Sequence, residues 1–88
     1  MTIQLKDGFQ PIRIRVNSKT AEYEYTLILK SLFNQETFEF SVIDFMPHSN
    51  QVVSVIDIPT TIESGDYQYT LKRGSEIVRE GLALKYTI

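Results

Sequence analysis

The residues able to do chemistry are few, and their spacing gives each a plain structural role. His48 is the single histidine of this 88-residue chain. In Met46-Pro47-His48-Ser49-Asn50 it could act as a general base or a metal ligand, but no cysteine, second histidine or run of carboxylates accompanies it, which leaves a solvated loop residue. Asp57, Glu63 and Asp66 surround one crossover and could offer oxygen to calcium. They lack the dense alternating acids and the glycine of a calcium loop, so turn and cap roles fit them better. Glu22, Glu24 and Glu39 could include a carboxylate pair for glycoside hydrolysis, yet they alternate with apolar residues as solvent-facing strand positions do. Seven serines lack a Gly-x-Ser-x-Gly setting, and the four glycines form no phosphate-binding loop. The expectation is a protein without catalytic residues, metal or cofactor.

Composition bounds the remaining classes. Hydrophobic residues make up 42% of the chain and charged residues 23%, the balance of a globular domain, and this length supports one modest core in a single domain over 1–88. With no cysteine, neither a disulfide nor a thiolate metal site can reinforce it. Nine basic and eleven acidic residues give a net charge of -2 and are spread along the chain, so no direct nucleic-acid partner is expected. No apolar run approaches the roughly 20 residues of a membrane-spanning helix, and the start of the chain lacks the basic and apolar regions of a secretory signal. Membrane association is therefore not expected, and synthesis in a cytosol is.

The elements that would position these residues are short and extended, because apolar residues recur at every second position. Ile3 and Leu5 open the pattern, Asp7-Gly8 makes a turn, and Ile12, Ile14 and Val16 alternate with Arg13 and Arg15. Tyr23, Tyr25, Leu27 and Leu29 form the longest strand candidate. A helix would also gather Ala21, Tyr25, Ile28, Leu29 and Leu32 on one face, but the tyrosines and Thr26 favour the strand. After a turn at Asn34-Gln35, Phe38, Phe40 and Val42 occupy one phase and Ile43 and Phe45 the other, a slip that predicts a bulge or a crossing between sheets. Val52 to Ile58 is the next strand, closed by Pro59. Tyr67, Tyr69 and Leu71 follow, then a hairpin at Arg73-Gly74, a return through Glu76 to Glu80, a bend or bulge at Gly81, and a last strand in which Leu82, Leu84, Tyr86 and Ile88 alternate. Seven or eight such strands predict an all-β antiparallel sandwich of immunoglobulin-like type.

Interaction surfaces are read from residues that this pattern leaves outside. Arg13 and Arg15 project from one face and are the first candidates for the rim of a partner interface, with an ordinary solvated face as the plain alternative. Ile28, Ile43 and Val78 stand out of phase with their strands and would add apolar contacts on outer faces. Tyr23, Tyr25, Tyr67 and Tyr69 could stack on sugars or unpaired bases, but they share the phase of Leu27, Leu29 and Leu71 and fit the core better.

Two stretches resemble a known kind of protein. Tyr23 to Phe40 runs a Tyr-x-Leu-x-Leu strand through Lys30-Ser31-Leu32-Phe33-Asn34-Gln35 into Thr37-Phe38-Glu39-Phe40. Ile62-Glu63-Ser64-Gly65-Asp66-Tyr67-Gln68-Tyr69-Thr70-Leu71 leads towards Glu80-Gly81-Leu82. Together they resemble small immunoglobulin-like virion proteins of crAss-like tailed bacteriophages. The resemblance implies a virion structural protein made in the host cytoplasm. It would be an auxiliary capsid protein in many copies on major capsid subunits, or part of the head-tail region. The final Lys85-Tyr86-Thr87-Ile88 departs from the terminal motif of such proteins. A carbohydrate-binding module using the tyrosine strands, or an adaptor adding the Arg13-Ile14-Arg15 strand to a partner's sheet, are the alternatives.

Overall fold

The structure is a computed structural model describing residues 2–16, 24–46 and 49–86; the expectations for Tyr23, Glu22, His48 and Ile88 lie outside the described residues. All regular structure among these residues is β. The seven strands are β1 (Thr2–Leu5), β2 (Gly8–Arg15), β3 (Glu24–Ser31), β4 (Thr37–Ile43), β5 (Gln51–Ile58), β6 (Gly65–Arg73) and β7 (Glu76–Lys85). They form a five-stranded sheet in the order β1-β7-β6-β3-β4 and a two-stranded sheet of β2 and β5. The helical alternative for the segment around Tyr25 is thereby settled in favour of the strand. Pairing is antiparallel, as expected, except that β1 runs parallel to β7, with Ile3 opposite Ala83 and Leu5 opposite Lys85.

The core lies between the sheets and follows the alternation. Tyr25, Leu27 and Leu29 of β3 and Tyr67, Tyr69 and Leu71 of β6 meet Ile12 and Ile14 of β2 and Val52, Ile56 and Ile58 of β5. Leu27, Leu29, Val42, Val52 and Leu71 are wholly buried, and each such side chain contributes about 1.5–3 kcal/mol of transfer free energy. Of the bulge or sheet crossing expected near Val42, the crossing is what occurs. Alternation continues, with Ile43 and Phe45 outside and a buried Asp44 inside. The carboxylate Oδ1 of Asp44 accepts the amides of Met46 (3.0 Å) and Val53 (3.1 Å), and the Phe45 amide donates to the Val53 carbonyl, so the chain crosses from one sheet to the other here without a bulge.

The strand β7 departs most from a hydropathy reading. Alternation alone would turn Leu82, Leu84 and Tyr86 inward, yet these are exposed, and Gly81, Ala83 and Lys85 take the inner positions. The reason is volume. Tyr69 stands opposite Gly81 and Tyr67 opposite Ala83, and a Cβ on Gly81 would lie 2.6 Å from Cε2 of Tyr69. Two tyrosine rings fill this part of the core, so the facing strand must supply its smallest side chains. Gly81 is thus a site of close approach, and the bulge expected there falls instead between Leu71 and Lys72 of β6 and around Val78 of β7. That register shift corrects the expectation for Val78, which packs against the core and does not project outward.

Lys85 completes the inner face of β7 as a buried cation, 1% exposed. Its Nζ lies 2.7 Å from Oδ1 of Asp7 in the β1–β2 turn and donates to the Ile62 carbonyl in the β5–β6 connection. The carbonyl and the carboxylate compensate the charge that burial would otherwise penalise. Lys85→Ala is expected to lower the unfolding free energy by about 3 kcal/mol, from the cavity and the stranded acceptors. Lys85→Met keeps the aliphatic stem and is expected to lose about half as much. Urea titration of the three proteins checks this; equal losses would show that the ammonium contacts alone matter, and no loss in Lys85→Met that only the stem does.

The β5–β6 connection is also fixed by Tyr67, whose hydroxyl donates to the Glu63 carbonyl at 2.6 Å. Burial, with the carboxylates of Glu63 and Glu36 adding to it, raises the Tyr67 phenol above its ordinary value of 10.0. The folded state holds this proton more tightly than the unfolded chain does. The resulting stabilisation is complete below about pH 10 and is lost as pH climbs through the raised native value. Tyr67→Phe is expected to cost about 1 kcal/mol at pH 7 and to flatten the decline of the urea midpoint between pH 9 and 11, about one pH unit either side of the free phenol value.

Candidate interaction surfaces

The candidate residues do not gather at one site. Arg13 and Arg15 are exposed on the outer face of β2, beside Val53 and Gln51 of β5. Ile28 and Ile43 lie on the outer face of the other sheet. Ile28 is half-buried between Glu39 and Thr70, and Ile43 is exposed opposite Glu24. With Val78 turned to the core, the other four candidates form two separate groups, one on each sheet.

Tyr25, Tyr67 and Tyr69 are each buried to within a few per cent, which leaves their ring faces to the core and removes them as a stacking platform. Phe38 meets Tyr67 edge to face, with ring centroids 6.4 Å apart, and the Arg73 guanidinium lies against Tyr25 and Glu76. Burial would lower the basicity of that guanidinium, and the Tyr25 hydroxyl and Glu76 carboxylate outweigh the effect and hold it above its ordinary value. Asp57, Glu63 and Asp66 are exposed, and among the described residues no group of three or more histidines or carboxylates could hold a metal ion. No described helix is long and apolar enough to cross a membrane.

What the structure does assemble is apolar surface, on both outer faces. At one end of the five-stranded sheet, Leu32 from the β3–β4 turn lines one hollow with Asp66 and with Leu82 and Leu84 of β7 and an adjoining one with Phe33, Ser64 and Gly65. Phe33 is 92% exposed, yet its turn is well tied. Oγ of Ser31 accepts the amides of Phe33 and Asn34, Gln35 donates to the Ser31 carbonyl, and Leu32 donates to the Asp66 carbonyl. A ring this exposed on a turn this restrained is displayed at small further entropic cost on binding.

The second surface is the outer face of β2 and β5. Phe9, 76% exposed, stands opposite Asp57, Pro11 opposite Val55, Arg13 opposite Val53 and Arg15 opposite Gln51. The bond from Phe45 to Val53 brings exposed Phe45 and Met46 to its rim. Sequence reasoning found Arg13 and Arg15 here but missed the apolar strip they flank. The signal was available: Phe9 and Pro11 share the odd-numbered phase of the arginines, opposite to that of Ile12 and Ile14.

The free edge of β2 is a poor template for strand addition. Pro11 has no amide hydrogen, so in the antiparallel ladder with β5 its nitrogen must face away from β5. Phe9, Pro11, Arg13 and Arg15 therefore direct their backbone groups outward, and Pro11 interrupts that row with a missing donor.

Compared with known protein families, curated proteins and solved structures, the chain matches none.

Exposed aromatic residues kept for binding contribute little to the folded state. Phe9→Ser and Phe33→Ser are each expected to change unfolding free energy by no more than about 0.5 kcal/mol. A loss above about 2 kcal/mol in urea titration would make either ring a structural element.

Proposed function

We propose that this chain is a non-enzymatic, immunoglobulin-like structural protein of a tailed-phage particle, an auxiliary capsid protein that docks on major capsid subunits and reinforces the shell. The immunoglobulin-like assignment is supported by the strand order, with the first strand parallel to the last. It is also supported by the Tyr67 hydroxyl bonding back to the Glu63 carbonyl at the corner before β6. The observation that carries the functional reading is the pair of apolar patches, one on the outer face of each sheet. A domain with two such patches can touch a shell subunit with one and a neighbour with the other, and many modest contacts add through repetition on a symmetric surface. The resemblance of the Tyr23 to Phe40 and Ile62 to Leu71 stretches to virion proteins supplies the shell as partner.

The other readings are disfavoured by particular residues. A carbohydrate module would need ring faces that Tyr25, Tyr67 and Tyr69 bury, and an adaptor working by strand addition would need the donor that Pro11 lacks.

The test uses particles of the phage encoding the chain. Quantitative mass spectrometry is expected to find it in many copies, and the purified protein is expected to cosediment with capsids lacking it and raise their rupture temperature. Phe33→Asp combined with Leu84→Asp is expected to weaken cosedimentation at least tenfold. Absence from the particle sinks the proposal, and a few copies would move the protein to the head-tail region.

A further inference from the structure

The outer face of the two-stranded sheet carries its charges in an order that fits itself. Along β2 and β5 one end holds Phe9 and Asp57, the middle holds Pro11 beside Val55 and Arg13 beside Val53, and the far end holds Arg15 beside Gln51. Asp57 and Arg15 are six residue pairs apart, about 20 Å at strand rise, so they do not meet within one chain. Turning a second copy end over end about a two-fold axis level with Ile12 and Ser54 brings unlike ends together. Val55 then faces Val53 of the other copy and Phe9 lies under its Arg15, while Asp57 lies beside that same Arg15. Two-fold symmetry makes every contact twice.

From this arrangement we infer that the β2–β5 face is a self-association surface, on which a second copy of this chain packs face to face in the opposite direction. Three features select this occupant. Val53 and Val55 meet their counterparts on the other copy with each Arg13 stem over the other's Pro11 ring, the acidic end matches the basic end, and Pro11 disfavours the competing edge-to-edge pairing of two β2 strands. In any edge pairing that puts the outward groups of residues 9 and 15 or 11 and 13 opposite one another, Pro11 meets an acceptor without a donor. Arg15 over Phe9 adds a cation–π contact.

The size of the face sets the strength. Eight-residue strands span about 27 Å, and two strands with their side chains are about 12 Å wide, giving roughly 300–400 Å² per copy. That is under half of the roughly 800 Å² per partner of a standard interface, so the pair forms reversibly, with Kd on the order of 10 μM to 1 mM. The association belongs to the isolated protein and stands or falls independently of any place in a virion.

Sedimentation velocity of the purified chain from about 1 μM to 2 mM, a range spanning the expected Kd, reads the outcome. The wild type is expected to shift from monomer to dimer, and Val55→Glu to raise Kd at least tenfold. Arg15→Asp and Asp57→Arg are each expected to weaken self-association, since each places like charges together twice. Mixing the two variants restores opposite charges at both ends and is expected to give a mixed dimer about as strong as the wild type. Circular dichroism of the exposed-site variants is expected to be unchanged. A wild type monomeric to 2 mM, or a Val55→Glu protein that dimerises normally, overturns the inference. So does a folded mixture that stays monomeric while the wild type associates.

Discussion

The choice of which face β7 turns inward decides most of what this molecule shows to the outside. Side chains alternate with a period of two, so moving the strand by one residue would exchange its whole inner set for its outer set. One set is Leu82, Leu84 and Tyr86, the better hydrophobes; the other is Gly81, Ala83 and Lys85. The second set lies inside because Tyr67 and Tyr69 already occupy the space opposite and because Lys85 finds Asp7 and the Ile62 carbonyl at its tip. Gly81 leaves room for the ring that a leucine would displace. The leucines are outside as a consequence, next to Leu32, and the apolar patch of the large sheet exists because of that choice.

The same anchor ties together parts of the chain distant in sequence. Lys85 joins the end of β7 to the β1–β2 turn and the β5–β6 connection, and the Tyr86 amide continues the link to the Leu5 carbonyl. Gln10 secures the next step, its side chain exchanging two hydrogen bonds with the backbone of Lys6. Connections between sheets are where a small sandwich without disulfides is weakest, since their polar backbone must be satisfied without a ladder. Here buried side chains supply those bonds: Lys85 and Gln10 at one end, Asp44 where the chain passes from β4 to β5.

How much of this was legible in the sequence depended on whether a residue's neighbours across the sheet could be known. The strands β2, β3 and β6 read correctly because each repeats one strong inner phase, Ile12 and Ile14 or Tyr67, Tyr69 and Leu71, that no partner overrides, whereas β5, with Val53 and Val55 outside and Ser54 inside, was legible as a strand but not in its phase. The fold class followed from them, as did the hairpin at Gly74, whose φ of 61° suits glycine. At Ile43 an apolar residue in the opposite phase looked like a slip, when the inner position had simply passed to a buried aspartate with backbone amides to accept. The misreading of Val78 and Gly81 has one origin: the bulge and the tyrosine rings belong to β6, and no local pattern on β7 carries their effect. Arg13 and Arg15 were visible as an exposed pair, but their apolar neighbours come from β5 and from the chain beyond β4, which only the pairing register brings alongside.

The two-stranded sheet poses the problem that small sandwiches meet at their narrow side. A sheet of two strands has a large share of its backbone at an edge, and an open edge invites indiscriminate pairing with any extended chain. Removing one donor by proline, and following it with Arg13 and Arg15, makes that edge a poorer template while leaving the side chains of the face free. The two kinds of contact differ in selectivity. Backbone ladders accept almost any sequence, whereas a face carrying Phe9 and Asp57 at one end and Arg15 at the other accepts a partner only in an orientation that satisfies both charges. Apolar side chains outside the core would be a liability on an unprotected ribbon. Beside Pro11, Val53, Val55 and Phe9 lie between charges of opposite sign, so under the proposed self-association the face itself would set the partner's orientation.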